Sequence, residues 1–462
     1  MNVKSRKNFI LKGNIYKVLI TLAIPVMINN LIQTLYNLVD GIWVSKLGSV
    51  PFAATSFVWP VEFLFISIGT GISIASTSLL SQLIGAGKDE ETGIYSSQIV
   101  VLSILSSIIF SIIGFFLTPL IVFLMGASGD LANYSNIYLR ITFMSMPFTF
   151  FYFAFNSMLV AQGNTILPTI LSGLSAVINA ILDPLFIFIF DLGIAGAALA
   201  TLTSKVILVI SGIFIISRMQ SKIKPNFKNF RFNKNIVKKV IKVALPSSIG
   251  QSGSALGFIV LNGFIASYGT ATMAAFGMVN RITSLIQQPA MGIGSTLVTV
   301  TGQNLGSNQK DRVIEGFKKA CLLTLSICFA GVIFMLSFNE EIINFFIQSK
   351  DDPEVISQGI TYLNYIVYST PLMGMFSIYQ GIFQGSGHTK YSMNMEVGRL
   401  WFIRLPMILV FKYFTQVGST GIWFSMSFSN LIICIYGFVV YRQKKWLKSS
   451  IEESTTPEKQ IS

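Results

Sequence analysis

Charge is scarce in this chain: Asp, Glu, Lys and Arg together make up 11% of its 462 residues, against roughly a quarter in soluble domains. Its three cysteines, Cys321, Cys328 and Cys434, are odd in number and form no C-x-x-C pair, which excludes a disulfide framework and a thiolate metal site. The single histidine, His388 in "QGSGHTK", leaves no material for a histidine cluster and reads as a turn residue. "GAGKDEE" at 85–91 lacks the G-x-x-x-x-G-K-[ST] spacing of a phosphate loop. With no soluble nucleotide domain either, ATP is excluded as a fuel and catalysis by an enzyme site is not expected.

What fills the space is apolar. The chain is 52% hydrophobic with a mean hydropathy of +0.66, and runs of eighteen or more apolar residues recur, each able to cross about 30 Å of hydrocarbon as a helix. The expected class is an all-α integral membrane protein with twelve transmembrane helices, at about 16–44, 52–83, 94–124, 136–160, 166–190, 193–216, 240–268, 275–304, 316–338, 357–383, 391–413 and 419–440. The first run is too long for a signal-peptide core and has no small-residue cleavage site, so no cleaved leader is expected.

A net charge of +14 would suit nucleic acid if the cations lay on one soluble face. They follow topology instead. Lys4, Arg6, Lys7, Lys12 and Lys17, the run 218–242, Lys310, Arg312, Lys318, Lys319, and the tail residues Arg442, Lys444, Lys445 and Lys448 all fall on one side of a twelve-helix chain. The positive-inside rule then places both termini in the cytoplasm of a multi-pass cell-membrane protein. The lipid bilayer is the expected partner; nucleic acid is not.

The basic stretch divides the chain into an N-terminal lobe (1–217), a linker (218–239), a C-terminal lobe (240–441) and a tail (442–462). The lobes repeat: Pro25 aligns with Pro246, Ala54 with Ala275, Gln82 with Gln303 and Gly85 with Gly306, all at a spacing of 221, and later Gly163 with Gly385 and Gly196 with Gly421. Six crossings per copy predict two six-helix lobes related by a pseudo-twofold axis along the membrane normal, an arrangement found among secondary transporters.

Acids inside the apolar spans are few, namely Asp40, Glu62, Asp183 and Glu396. A carboxylate in hydrocarbon costs at least about 2.5 kcal/mol and points to function. Asn29, Gln33, Tyr36 and Asp40 recur at helical spacing with Asn37 beside them, and Asn179 and Asp183 are one turn apart. Pro184 lacks an N–H and frees the carbonyl of Ala180 nearby. With Thr201, this set of oxygens suits a hard cation, Na⁺, or a proton. Lys205, one turn beyond Thr201, could occupy the cation's place. Glu62 could line a cavity or serve structure. Glu396 and Arg399 are expected to pair with each other, with Arg404 joining them or facing a cavity.

"LIQTLYNLVDGIWVSKLG" (31–48), "NAILDPLFIFIFDLGIAGAALAT" (179–201) and the duplicated Pro, Gln and Gly positions resemble the multidrug and toxic compound extrusion (MATE) family, in its DinF-like prokaryotic branch. The resemblance spans about 10–440. It implies a cation-coupling site at Asp40, Asn179, Asp183 and Thr201, which would hold Na⁺ if sodium is the coupling ion. The expected seventh and tenth helices contain no acid, so coupling is expected in the N-terminal lobe.

The expected function is a cation-coupled (H⁺ or Na⁺) multidrug antiporter, a secondary active transporter and not an enzyme, expected to act as a monomer, that exports amphipathic, mostly cationic organic compounds by alternating access.

 Its candidate substrate-binding residues are Gln33, Tyr36, Asn37, Asn156, Met278 and Tyr379, since aromatic and methionine walls tolerate many shapes and π faces attract cations. Two other classes fit less well. A flippase for a lipid-linked oligosaccharide or cell-wall precursor would need clustered cations for pyrophosphate, and Lys205, Arg281, Arg399 and Arg404 are scattered. A channel or scaffold would show conductance or no exchange.

Overall fold

The computed structural model describes residues 3–451, apart from 220, 222, 229, 339–340 and 343–352. Among these the regular elements are all helices. A short α1 (Val3–Lys12) leads into α2 (Ile15–Ser45), α3 (Ser49–Ala86), α4 (Asp89–Leu124), α5 (Gly129–Ala161), α6 (Ile166–Pro184) and α7 (Gly193–Arg218). The second half runs through α8 (Lys234–Ala266), α9 (Thr270–Gly306), α10 (Lys310–Ser337), α11 (Pro353–Val367), α12 (Thr370–Gly385), α13 (Thr389–Val397), α14 (Leu405–Phe414) and α15 (Thr420–Gln443). Two π-helical segments, Leu185–Ile189 after α6 and Gly398–Arg404 between α13 and α14, complete it.

All twelve expected passages are helical, because in hydrocarbon a helix satisfies every backbone group internally. Among the described residues, nine helices are long and apolar enough to cross a membrane uninterrupted. The other three passages differ for local reasons. The passage expected at 357–383 is split into α11 and α12 by a turn at Tyr368 and Ser369, that at 391–413 contains the second π segment, and α9 is 37 residues long but less apolar. Large apolar side chains cover the outer faces, with Phe123 74% and Phe414 83% exposed, as a lipid-facing surface requires.

The chain forms two compact units, Met1–Asn8 with Ile28–Ser248, and Phe9–Met27 with Ile249–Ser462. The chain passes between units three times: once within α1, after Asn8, and twice two residues after a proline inside a helix, since α2 divides after Met27 and contains Pro25, and α8 divides after Ser248 and contains Pro246. The internal repeat is also visible in backbone conformation. Left-handed glycines recur at Gly48 and Gly269 (φ 117° and 107°), at Gly163 and Gly387 (74° and 79°), and at Gly193 and Gly418 (53° and 62°). The turn partner of Gly163 is therefore Gly387, and the alignment of Gly163 with Gly385 is corrected by two residues.

In the first unit, α3, α4 and α5 interlock through aromatic rings: Phe65 meets Phe143 edge-on at 4.9 Å and Phe110 at 5.9 Å. In the second unit, Tyr362 stacks on Trp423 at 4.1 Å, and Tyr362 and Trp423 are both fully buried.

Candidate functional site

The site is built from α2, α6 and α7 of the first unit. Because α2 is one continuous helix, Gln33, Tyr36, Asn37 and Asp40 share a face, and Gln33 Nε2 donates to Asn37 Oδ1 at 3.4 Å. On α6, Asn179 and Asp183 are one turn apart, and Asn179 Nδ2 donates to Asp183 Oδ1 at 3.2 Å and to Thr201 Oγ1 of α7 at 3.4 Å. The Thr201 hydroxyl lies 3.2 Å from the Tyr36 hydroxyl, and either can donate. A hydrogen-bonded chain therefore runs Tyr36–Thr201–Asn179–Asp183 across three helices.

Local sequence explains how α7 reaches this position. Pro184 ends α6, and the chain continues as a π segment whose Phe190 N–H reaches the Leu185 carbonyl at 2.9 Å. Asp191 and Gly193 then turn it with left-handed backbone, φ 53° at each. Gly196 completes the approach, since a Cβ there would lie 2.6 Å from the Phe186 carbonyl carbon. Only a glycine lets α7 pack so closely against that backbone.

Two carboxylate oxygens stand out electrostatically. Asp183 is fully buried and its Oδ2 has no hydrogen-bond partner; Asp40 Oδ1 is likewise buried without one. An ionised oxygen without a partner in such a place is costly, so each favours a proton or a hard cation.

The same unit encloses a cavity of about 1000 Å³, large enough for a drug-sized molecule. Its lining includes Gln33, Tyr36, Asn37, Asp40 and Thr201. Asn179 and Asp183 are not on the lining and connect to it through Thr201. Glu62 lines the cavity, as does Lys205, whose ammonium donates to Ser145 Oγ at 3.3 Å while interacting electrostatically with Glu62 and Asp40. Aromatic rings complete the wall, with Trp59 and Phe63 stacked at 5.1 Å one turn apart on α3.

The remaining expected residues lie elsewhere. Asn156 is on α5 but not on the lining. Met278 and Tyr379 belong to the second unit, where Met278 packs against a core cluster and Tyr379 is core itself, 5.6 Å from Phe317. Trp59, Phe63, Tyr138 and Tyr152 are lining residues that the polar stripes did not reveal. The signal available was Trp59, Glu62, Phe63 and Ile66 at helical spacing beside an acid.

The expected Glu396–Arg399 ion pair is not formed. Glu396 instead accepts from Ser254 at 2.7 Å and Gln251 at 3.5 Å, both on α8, while the Arg399 guanidinium lies over Phe376 at 4.6 Å and donates to Met373 Sδ. Arg404 is also buried, donating to Ser429 at 3.0 Å and Asn430 at 2.9 Å. Both arginines lie on the π segment Gly398–Arg404, which starts two residues after Glu396 and interrupts the regular helical spacing between Glu396 and Arg399.

Comparison with known proteins follows the same duplicated pattern. The chain is 28% identical over 439 residues to "Probable multidrug resistance protein YpnP" of Bacillus subtilis (strain 168), covering 94% of this chain and 96% of that protein. It is 25% identical to "Multidrug export protein MepA" of Staphylococcus haemolyticus (strain JCSC1435), covering 93% and 94%. Among solved structures, "Crystal structure of MATE in the bent conformation" superposes with a TM-score of 0.89 at 25% identity, covering 95% of this chain and 97% of that one. "Outward-facing conformation of a multidrug resistance MATE family transporter of the MOP superfamily" gives 0.86 at 26% identity, covering 94% and 97%. The MatE family model matches twice, at residues 25–185 and 246–410, so the two halves match the same model and the chain belongs to the MatE family.

Proposed function

We propose that this transporter is an antiporter that exports amphipathic, mostly cationic organic compounds in exchange for an inward-moving H⁺ or Na⁺, with both termini and the 218–239 linker in the cytoplasm. The family consists of transporters rather than enzymes, and the curated relatives are named for multidrug resistance or export. The observation that carries the coupling reading is the hydrogen-bonded chain from Tyr36 to Asp183, which joins a drug-sized cavity to a buried carboxylate with one unpartnered oxygen.

In this reading Asp40, Asn179, Asp183 and Thr201 receive the ion. Gln33, Tyr36, Asn37, Trp59 and Phe63 bind the solute, with Asp40 and Glu62 attracting its positive charge. An ion entering at Asp183 changes the hydrogen bonds of Asn179 and Thr201, and through Tyr36 the position of α2 beside the solute. Ion and solute are thereby linked, since each alters the free energy of binding the other. The lining sets two carboxylates against one ammonium, Lys205, which favours a cationic solute over the pyrophosphate of a flippase substrate.

The test is dye export measured in inverted membrane vesicles with the pH gradient and the sodium gradient collapsed separately. Export that stops with one gradient, and stops in Asp40→Asn, supports the reading. Export that survives loss of both gradients rejects it.

A further inference from the structure

The segment between α7 and α8 has no part in the cavity. Residues 218–242 contain no Asp or Glu, and Lys224, Lys228, Arg231, Lys234 and Lys238 are all exposed. The positive-inside rule accounts for the sign of these charges but not for the rings set among them. Phe227 and Phe232 are 53% and 54% exposed, and Phe232 meets Phe230 edge-on at 5.3 Å.

One buried side chain of α4 holds Phe232 in place. Gln98 Nε2 donates to the Arg231 carbonyl at 2.7 Å, and Gln98 Oε1 accepts from the Asn233 N–H at 3.3 Å. The backbone is thus fixed on both sides of Phe232. The Asn226 N–H reaches the Gly93 carbonyl at 3.4 Å, and Asn233 Oδ1 accepts from the Asn235 and Ile236 N–H groups at 3.0 and 3.3 Å at the start of α8. An exposed phenylalanine on a scaffold this well tied is a built feature.

Beside it lies a groove of about 420 Å³ lined by Phe232, Lys234, Val237, Lys238 and Ile241. Lys234 and Lys238 are one helical turn apart, so a single anionic group can reach both. Connectivity sets the location: α7 ends at Arg218 and α8 begins at Lys234, and both cross the membrane, so the groove sits at the membrane surface.

We propose that this groove binds an anionic phospholipid, with its phosphate between Lys234 and Lys238 and an acyl chain against Phe232, Val237 and Ile241. Apolar lining alone would accept any lipid, and the two lysines alone would accept free phosphate; together they select an amphiphile with a negative headgroup. Such a lipid fixes the linker to the membrane surface. The proposal rests on the membrane-spanning fold and is independent of the export reading.

Native mass spectrometry of the purified full chain, titrated with phosphatidylglycerol or phosphatidylcholine, tests it. Phosphatidylglycerol is expected to be retained in preference to phosphatidylcholine. Lys234→Gln and Lys238→Gln are each expected to weaken that retention roughly fivefold, Lys234→Arg to preserve it, and Phe232→Ser to weaken both lipids. Equal retention of the two lipids, or undiminished phosphatidylglycerol retention in Lys234→Gln/Lys238→Gln, would overturn the proposal. So would displacement of the lipid by millimolar inorganic phosphate, which would assign the lysines to free phosphate. Dye export by the same variants reports separately on transport.

Discussion

The Thr201 hydroxyl stands between the Tyr36 phenol, 3.2 Å away, and the Asn179 amide, 3.4 Å away. It is the link between a residue that lines the cavity and a carboxylate that does not. In the antiport reading, a solute contacting Tyr36 on α2 and an ion at Asp183 would both act on this one hydroxyl.

Removing the charge at the far end of that chain should uncouple transport while leaving the fold intact. Asp183→Asn retains the shape of the side chain but loses the carboxylate. Gradient-driven dye export is expected to fall to background, with membrane insertion unchanged. The melting temperature in detergent should not fall, because a buried carboxylate with an unpartnered oxygen has been replaced.

Thr201 should behave as a donor and acceptor rather than as a packing residue. Thr201→Val keeps the volume but removes the contacts to Tyr36 and Asn179, and is expected to weaken the apparent affinity for the coupling ion about tenfold. Thr201→Ser should stay within about threefold of the parent. Initial export rates against ion concentration separate the two.

Lys205 opposes a cationic solute, since its ammonium lines the same cavity and interacts with Glu62 and Asp40. Lys205→Met is expected to tighten binding of a monovalent cationic dye by on the order of tenfold and to change binding of an uncharged dye little. Equilibrium fluorescence titration of the purified protein reads both.

The close approach of α7 to the π segment should tolerate no side chain. Gly196→Ala places a methyl carbon 2.6 Å from Phe186 backbone and is expected to cost about 1–3 kcal/mol, visible as a lower melting temperature and reduced export. Gly212→Ala, on the same helix but with its nearest neighbour at 3.5 Å, should be nearly neutral.

The fold was legible because lipid imposes a simple rule: long apolar runs become helices, and these are the runs at 16–44 through 419–440. Asn179 and Asp183 were also legible, since one-turn spacing on a helix fixes a shared face and Pro184 marks its end. What the sequence hid depends on backbone irregularity and on packing between helices. The i, i+3 spacing of Glu396 and Arg399 suggested a pair, but the π segment begins at Gly398 and α8 supplies Ser254 as the carboxylate's partner. The turn at Tyr368 and Ser369 left no signal in hydropathy. Aromatic lining residues such as Trp59 and Tyr138 cannot be told from lipid-facing rings by composition, because only the packed helices decide which of them face the cavity.

The central claim is that an ion and a solute are exchanged through the Asp40–Asp183 region. The most direct measurement is ion flux in sealed proteoliposomes, with no ion gradient at the start and only a gradient of dye imposed. The account expects dye leaving by its own gradient to drive H⁺ or Na⁺ in the opposite direction, and this ion movement to vanish in Asp183→Asn. Dye movement with no accompanying ion flux in the parent protein, or ion flux unchanged in Asp183→Asn, would contradict it.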